Sequence, residues 1–139
     1  MQASDIMTPN PRRCSARDSL EGVARIMLEE DIGVVPVVDE QNNLVGVITD
    51  RDIVVRCVAA GDSPDTCVVD AYMTSPVVSV AEDASIEDVA NAMAKEAVRR
   101  IPVVDKEGRL CGIVARADLQ HSDARSQKNK VSQRVSTPH

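Results

Sequence analysis

Residues 7–53 can be laid over residues 73–119 at a constant offset of 66, without a gap, and 15 of the 47 pairs are identical. Unrelated sequences would match at roughly three such positions, so the chain carries an internal duplication. Met7-Thr8 matches Met73-Thr74, Ser19 matches Ser85, and Met27 matches Met93. Pro36-Val37-Val38-Asp39 matches Pro102-Val103-Val104-Asp105, and Gly46 and Asp52 match Gly112 and Asp118. Two copies are too few and too long for a solenoid, so a pair related by a pseudo-two-fold axis is the expected packing.

Each copy reads as the same succession of elements. A proline-marked lead-in favours extended chain, and in the second copy Val77-Val78-Ser79-Val80 is expected as a short strand. Ser19 and Ser85 suit helix N-caps. After them Leu20, Val23, Ala24, Met27 and Leu28 recur at helical spacing, as do Ile86, Val89, Ala90, Met93 and Ala97. The methionines read as core filling. A hairpin follows, with Val34–Val38 and Leu44–Ile48 flanking a turn from Asp39 to Asn43; the second copy turns from Asp105 to Arg109. A proline inside each first hairpin strand suggests an edge position there. A second helix then places Ile53, Val54, Cys57 and Val58 on one face and stops at Gly61.

The fold class is therefore α/β: two tandem β-α-β-β-α units packed with pseudo-two-fold symmetry. The units are placed at 1–61 and 70–121, joined by a linker at 62–69. Residues 122–139 are polar and without periodicity, and are read as a flexible tail.

Composition narrows the function. The chain has no Trp, no Phe and only Tyr72, so aromatic base-stacking has nothing to work with. A net charge of −6 argues against nucleic acid as a partner. No apolar run approaches the ~20 residues that cross a bilayer, and Met1–Asp5 has no signal-peptide character. A cytoplasmic protein with no membrane partner is the expectation. Cys14, Cys57, Cys67 and Cys111 are widely spaced, with no C-x-x-C, and His121 and His139 sit near the C-terminal end. No metal site is expected, and the thiols read as reduced core residues. Cys57 and Cys67 are the pair to watch for a redox role. With no histidine inside the repeats, an enzyme is not expected.

The duplication, the unit order and the loop Gly46-Val47-Ile48-Thr49-Asp50-Arg51-Asp52, placed 13 residues after Pro36 at its threonine, together resemble the CBS domain pair, or Bateman module. The resemblance covers residues 4–120, and the chain is similar to small stand-alone bacterial CBS-pair proteins. It implies binding of adenine nucleotides (AMP, ADP, ATP), S-adenosylmethionine or NAD in clefts between the units. It also implies a likeness to modules that pair into homodimers and signal to a protein partner without catalysis. No resident cofactor is implied.

The resemblance assigns the ribose to Asp52, with the Thr49 hydroxyl beside it. A carboxylate accepting from both ribose hydroxyls is a favourable, charge-assisted arrangement. Asp50 or Asp52 capping the following helix explains the same residues without a ligand. Arg99 and Arg100 stand where nucleotide-binding relatives often carry basic residues facing phosphate. As strand neighbours they would point to opposite faces. Solvated arginines paired with surface acids are the plain alternative. Because the lead-in of one unit lies beside the closing loop of the other in this family, Val77 and Val78 would flank the adenine, although core valines are expected in any case. The second cleft departs from the pattern. It keeps Asp118, but Ala115 replaces the threonine and Gly33-Val34 replace the arginines, while Pro11-Arg12-Arg13 offer charge from another side. Asymmetry is the expectation, with one good site near Asp52 and a weak, empty or differently used one near Asp118. The alternative for the whole chain is a homodimeric protein–protein scaffold that binds no ligand.

Overall fold

A computed structural model describes residues 1–121; the tail read at 122–139 lies outside the described residues. Its elements run α1 (Ala3–Ile6), β1 (Thr8–Pro9), β2 (Cys14–Ser15), α2 (Leu20–Glu30), β3 (Val34–Val38), β4 (Leu44–Thr49) and a π-wound helix Asp52–Val58. After a 3-10 turn at Val69–Ala71 come β5 (Val80–Ala81), α3 (Ile86–Glu96), β6 (Arg100–Val104), β7 (Leu110–Ala115) and helical residues 116–121. Each copy is thus β-α-β-β-α.

Local chemistry explains the repeated residues. Ser19 and Ser85 accept hydrogen bonds from the Gly22 and Asp88 N–H groups and start α2 and α3. Asp39 Oδ1 accepts from the N–H groups of Gln41 and Asn43, and Asp105 Oδ1 from those of Glu107 and Arg109. The backbone N–H of Asn43, and in the second copy that of Arg109, does most to hold these carboxyls below the usual carboxylate range. The aspartates of the repeated Pro-Val-Val-Asp therefore shape the hairpin turns. Asn42 and Gly108, at matching positions, both adopt positive φ, where Asn and Gly are the tolerated choices.

The sheets are ordered β1-β7-β6-β5 and β2-β3-β4. In both hairpins the register slips at the same place, between Val37 and Val38 and between Val103 and Val104. The proline strands β3 and β6 are central, which corrects the edge expectation. The physical reason is the shortness of their second neighbours. Cys14 pairs with Val37 and Val80 with Val103, one residue past Pro36 and Pro102, so each missing N–H falls where only one strand lies alongside.

The copies exchange their lead-in segments. Thr8 and Pro9 pair with Ile113 and Gly112 of β7, while Thr74 bridges Val47 of β4 through two backbone bonds of 2.8 and 3.1 Å. Ala3 and Ile6 are buried in the second core with Val89, Met93, Ile101 and Val114. Val69 is buried in the first, with Leu20, Val23, Ile48 and Cys57. Two repeated glycines permit this crossing. A Cβ on Gly46 would stand 2.7 Å from Met73 Sδ, and one on Gly112 would meet Met7 Sδ. Gly46, Gly112, Met7 and Met73 thus recur because each glycine seats the methionine of the other lead-in.

Some apolar residues depart from the expected pattern. Leu28 is 82% exposed, and Ala24, Val54, Val58 and Ala97 are exposed as well. Leu20, Val23 and Met27, and Ile53 and Cys57, already fill the side of each helix that meets the sheet. The expected strand at 77–80 is also shorter than read. Only Val80–Ala81 pairs with β6, leaving Val77 and Val78 outside the ladder and outside the core.

Tyr72 anchors the linker. Its hydroxyl donates to Asp62 Oδ2 at 2.6 Å and lies 3.3 Å from Cys67 Sγ, while Cys57 Sγ is 3.7 Å from the Asp62 carbonyl. The bond to Asp62 pushes the Tyr72 phenol up, and burial, followed by Cys67, pushes the Cys57 thiol up. Cys57 and Cys67 do meet in one cluster, but a raised thiol is a poor nucleophile.

Candidate functional site

The end of β4 and the start of the helix after it are joined by a reciprocal cap. The Thr49 N–H donates to Asp52 Oδ2 at 2.9 Å, and the Asp52 N–H donates to Thr49 Oγ1 at 3.0 Å. Half of this cap survives in the second copy, where the Ala115 N–H donates to Asp118 Oδ2 at 2.8 Å and no hydroxyl is present. The motif aspartates therefore have a structural task in both units. Asp52 Oδ1 is left facing Arg56 at 4.0 Å, and its side chain is 14% exposed.

Next to this cap lies a cleft of about 570 Å³. Thr49, Asp50, Val77, Val78, Arg99 and Arg100 are among the residues that line it. Asp50 is held there by its N–H, which donates to the Gly33 carbonyl at 2.9 Å. Gly33 leaves room for the carboxylate, since a Cβ at that position would stand 2.9 Å from Asp50 Oδ2. Of the residues singled out from the sequence, Thr49, Val77, Val78, Arg99 and Arg100 come together here. Asp52 is one step behind the lining, turned to the Thr49 N–H.

Both arginines reach the cleft, against the expectation that strand alternation would send one away. Arg99 precedes β6, which begins at Arg100, so the alternation does not bind it. Among the described residues neither guanidinium has a hydrogen-bond or ion-pair partner. The sequence predicts core valines at Val77 and Val78, yet Val77 is half-buried and Val78 is 40% exposed. No backbone hydrogen bond among the described residues engages the N–H or C=O of either. Free main-chain groups between apolar side chains can read the edge of a flat heterocycle held between them.

The pseudo-symmetric cleft is smaller, about 250 Å³, and holds Asp118, Ala115, Val34, Arg12 and Glu30. The charge offered by its own lead-in is already spent. Arg12 lies 2.9 Å from Glu30 and 3.6 Å from Glu29, and Arg13 donates to Asn42 Oδ1 and Asn10 Oδ1 at 2.6 and 2.7 Å. Glu96 lines the larger cleft, as its repeat mate Glu30 lines the smaller one, and sequence reading missed both. Their identity across the 66-residue offset, one turn before the arginine positions, was the available signal. A third cavity of about 510 Å³, bounded by α3, Arg99, Arg116 and Leu119, has no acidic or hydroxyl side chain in its lining. It offers nothing to hold a sugar.

Among the described residues no group of three or more His, Cys, Asp or Glu side chains could hold a metal ion. No helix among them is long and apolar enough to cross a membrane.

Comparison with known proteins places this architecture. The CBS-domain model matches residues 3–58 and 68–124. YlbB of Bacillus subtilis is 40% identical over 125 residues, spanning 89% of this chain and 83% of that protein. A protein of Methanopyrus kandleri is 34% identical over 115 residues, which are 83% of this chain but only 56% of that relative. Among solved structures, Hypoxic Response Protein I with two coordinated zinc ions superposes with a TM-score of 0.81 at 36% identity, covering 87% of this chain and 98% of that one. The CBS domain pair of MJ0100, in complex with 5-methylthioadenosine and S-adenosyl-L-methionine, gives 0.77 at 30% identity, over 88% and 98% of the two chains. CBSX2 of Arabidopsis thaliana in complex with AMP gives 0.78 at 26% identity, over 91% and 98%.

Proposed function

The chain belongs to the CBS-domain family, and from that premise we propose that it is a regulatory, non-enzymatic module that senses an adenine nucleotide in the larger cleft between its two units. The observation that carries this reading is the pair of arginines, Arg99 and Arg100, unpartnered among the described residues, in a cleft that Thr49 also lines. An unpaired guanidinium beside an apolar slot suits a phosphate joined to a flat base. Val77 and Val78 take the adenine, and Arg99 and Arg100 the phosphate. Asp52 takes a ribose hydroxyl on Oδ1 while Oδ2 keeps its bond to the Thr49 N–H, which orients the carboxylate. AMP in CBSX2 and the adenosyl ligands of the MJ0100 pair support this ligand class. The zinc of Hypoxic Response Protein I finds no matching ligand group among the described residues here.

Thermal unfolding with AMP, ATP and S-adenosylmethionine tests the reading. A ligand at 100 times its dissociation constant adds about 2.7 kcal/mol of stability. A rise in Tm with at least one of them is expected, and no rise at millimolar concentration would reject the proposal.

One observation favours a second reading, a homodimeric scaffold for protein contacts. Leu28, Val54, Val55 and Val58 are large, apolar and exposed on the two helices of the first unit. In this reading the protein is a cytoplasmic homodimer that covers these side chains, and the clefts stay empty. Light scattering on wild type and Leu28→Glu separates the two: the scaffold requires a dimer that the substitution dissociates, whereas the sensor requires a ligand-dependent Tm.

A further inference from the structure

The two clefts share a wall. Val34, Arg100 and Ile113 line both, and among the described residues Arg100 is the only charged one common to them. Without Arg100, each cleft is left with one arginine against two carboxylates. The larger one keeps Arg99 against Asp50 and Glu96, and the smaller keeps Arg12 against Glu30 and Asp118. Arg12 is moreover bonded to Glu30 at 2.9 Å. A cleft with an excess of carboxylate repels an anion, and one that gains Arg100 becomes neutral and able to hold it.

From this shared residue, and resting on the nucleotide reading above, we infer that Arg100 makes the two clefts compete: the chain holds one anionic ligand at a time. With Arg100 turned to a phosphate in the larger cleft, the smaller one rejects a second phosphate-bearing ligand and admits an uncharged or cationic nucleoside. Linkage makes the effect reciprocal, so an anion drawn into the smaller cleft weakens binding in the larger by the same factor.

Calorimetric titration with AMP and with adenosine tests this. Wild-type protein takes one equivalent of AMP, and a second binds at least about tenfold more weakly, within the usual range of coupling between sites. Adenosine binds the smaller cleft of the AMP-loaded protein at least about tenfold more tightly than a second AMP does. Glu30→Gln frees Arg12, so the second AMP then binds within about threefold of the first, whose affinity stays as in wild type. Two equal equivalents of AMP in wild type, or a second equivalent that Glu30→Gln fails to strengthen, would overturn the shared-arginine account and leave the nucleotide reading standing. No AMP at all in wild type would remove both.

Discussion

Glu96, Arg100 and Thr49 line the larger cleft at the positions where Glu30, Val34 and Ala115 line the smaller one. The hairpin register and the serine caps are the same on both sides, and each lead-in crosses to the other unit. What differs is a hydroxyl, a freed arginine pair and about 320 Å³ of space, from about 570 Å³ against about 250 Å³. Residues kept in both copies, such as Ser19 and Ser85 or Gly46 and Gly112, build the fold. Residues that diverged, such as Gly33 and Arg99 or Thr49 and Ala115, distinguish the two cavities. The clefts still have matching residues, Glu96 with Glu30 and, one step behind the lining of the larger, Asp52 with Asp118, so it is the diverged positions that set them apart.

Four sets of substitutions would break or sharpen that contrast. The largest effect is expected from Arg99→Ala with Arg100→Ala, which should weaken AMP about 100-fold by calorimetry, each lost charge-assisted bond being worth about tenfold or more. Adenosine should change little; an equal loss for adenosine would take the arginines out of the phosphate role. Next, Asp52→Ala should weaken AMP at least about tenfold, and Asp118→Ala no more than about twofold. Asp52→Asn keeps an oxygen for the Thr49 N–H, so it separates cap from ligand: a retained Tm with lost AMP affinity is expected. If Asp50→Ala instead abolished binding while Asp52→Ala left it intact, the ribose would belong to Asp50.

Where the copies agree, they should fail alike. Gly46→Ala and Gly112→Ala each force a methyl against a methionine sulfur and should cost about 1–3 kcal/mol in chemical unfolding. A large cost for one and none for the other would mean the exchange of lead-ins is one-sided. Smallest is Ala97→Gly. Ala97 ends α3 at φ 55, where Asp31 ends α2 at φ 54, and glycine relieves the left-handed strain. A gain of about 1 kcal/mol is expected.

Much of this was legible in the sequence. The offset of 66 gave the unit order, both serine caps and both hairpins, because local chemistry sets those features and the chain shows it twice. Features governed by what lies across the molecule were hidden. Pro36 reads as an edge signal because nothing local reveals that its second neighbour is a strand starting one residue later. Leu28 and Val54 fit the apolar periodicity, yet periodicity cannot say whether anything covers that side. Val77 and Val78 read as strand because β-branched residues favour pairing, and the ladder reaches only Val80. Asp52 reads from the sequence as either a ligand contact or a cap, and only the fold shows that Oδ2 takes the Thr49 N–H while Oδ1 faces Arg56.

A crystal structure of the protein grown with AMP tests the central claim most directly. The account predicts adenine between Val77 and Val78, ribose at Thr49 and Asp52, and phosphate on Arg99 and Arg100. AMP seated at Asp118 instead, with the larger cleft filled only by solvent, would contradict it.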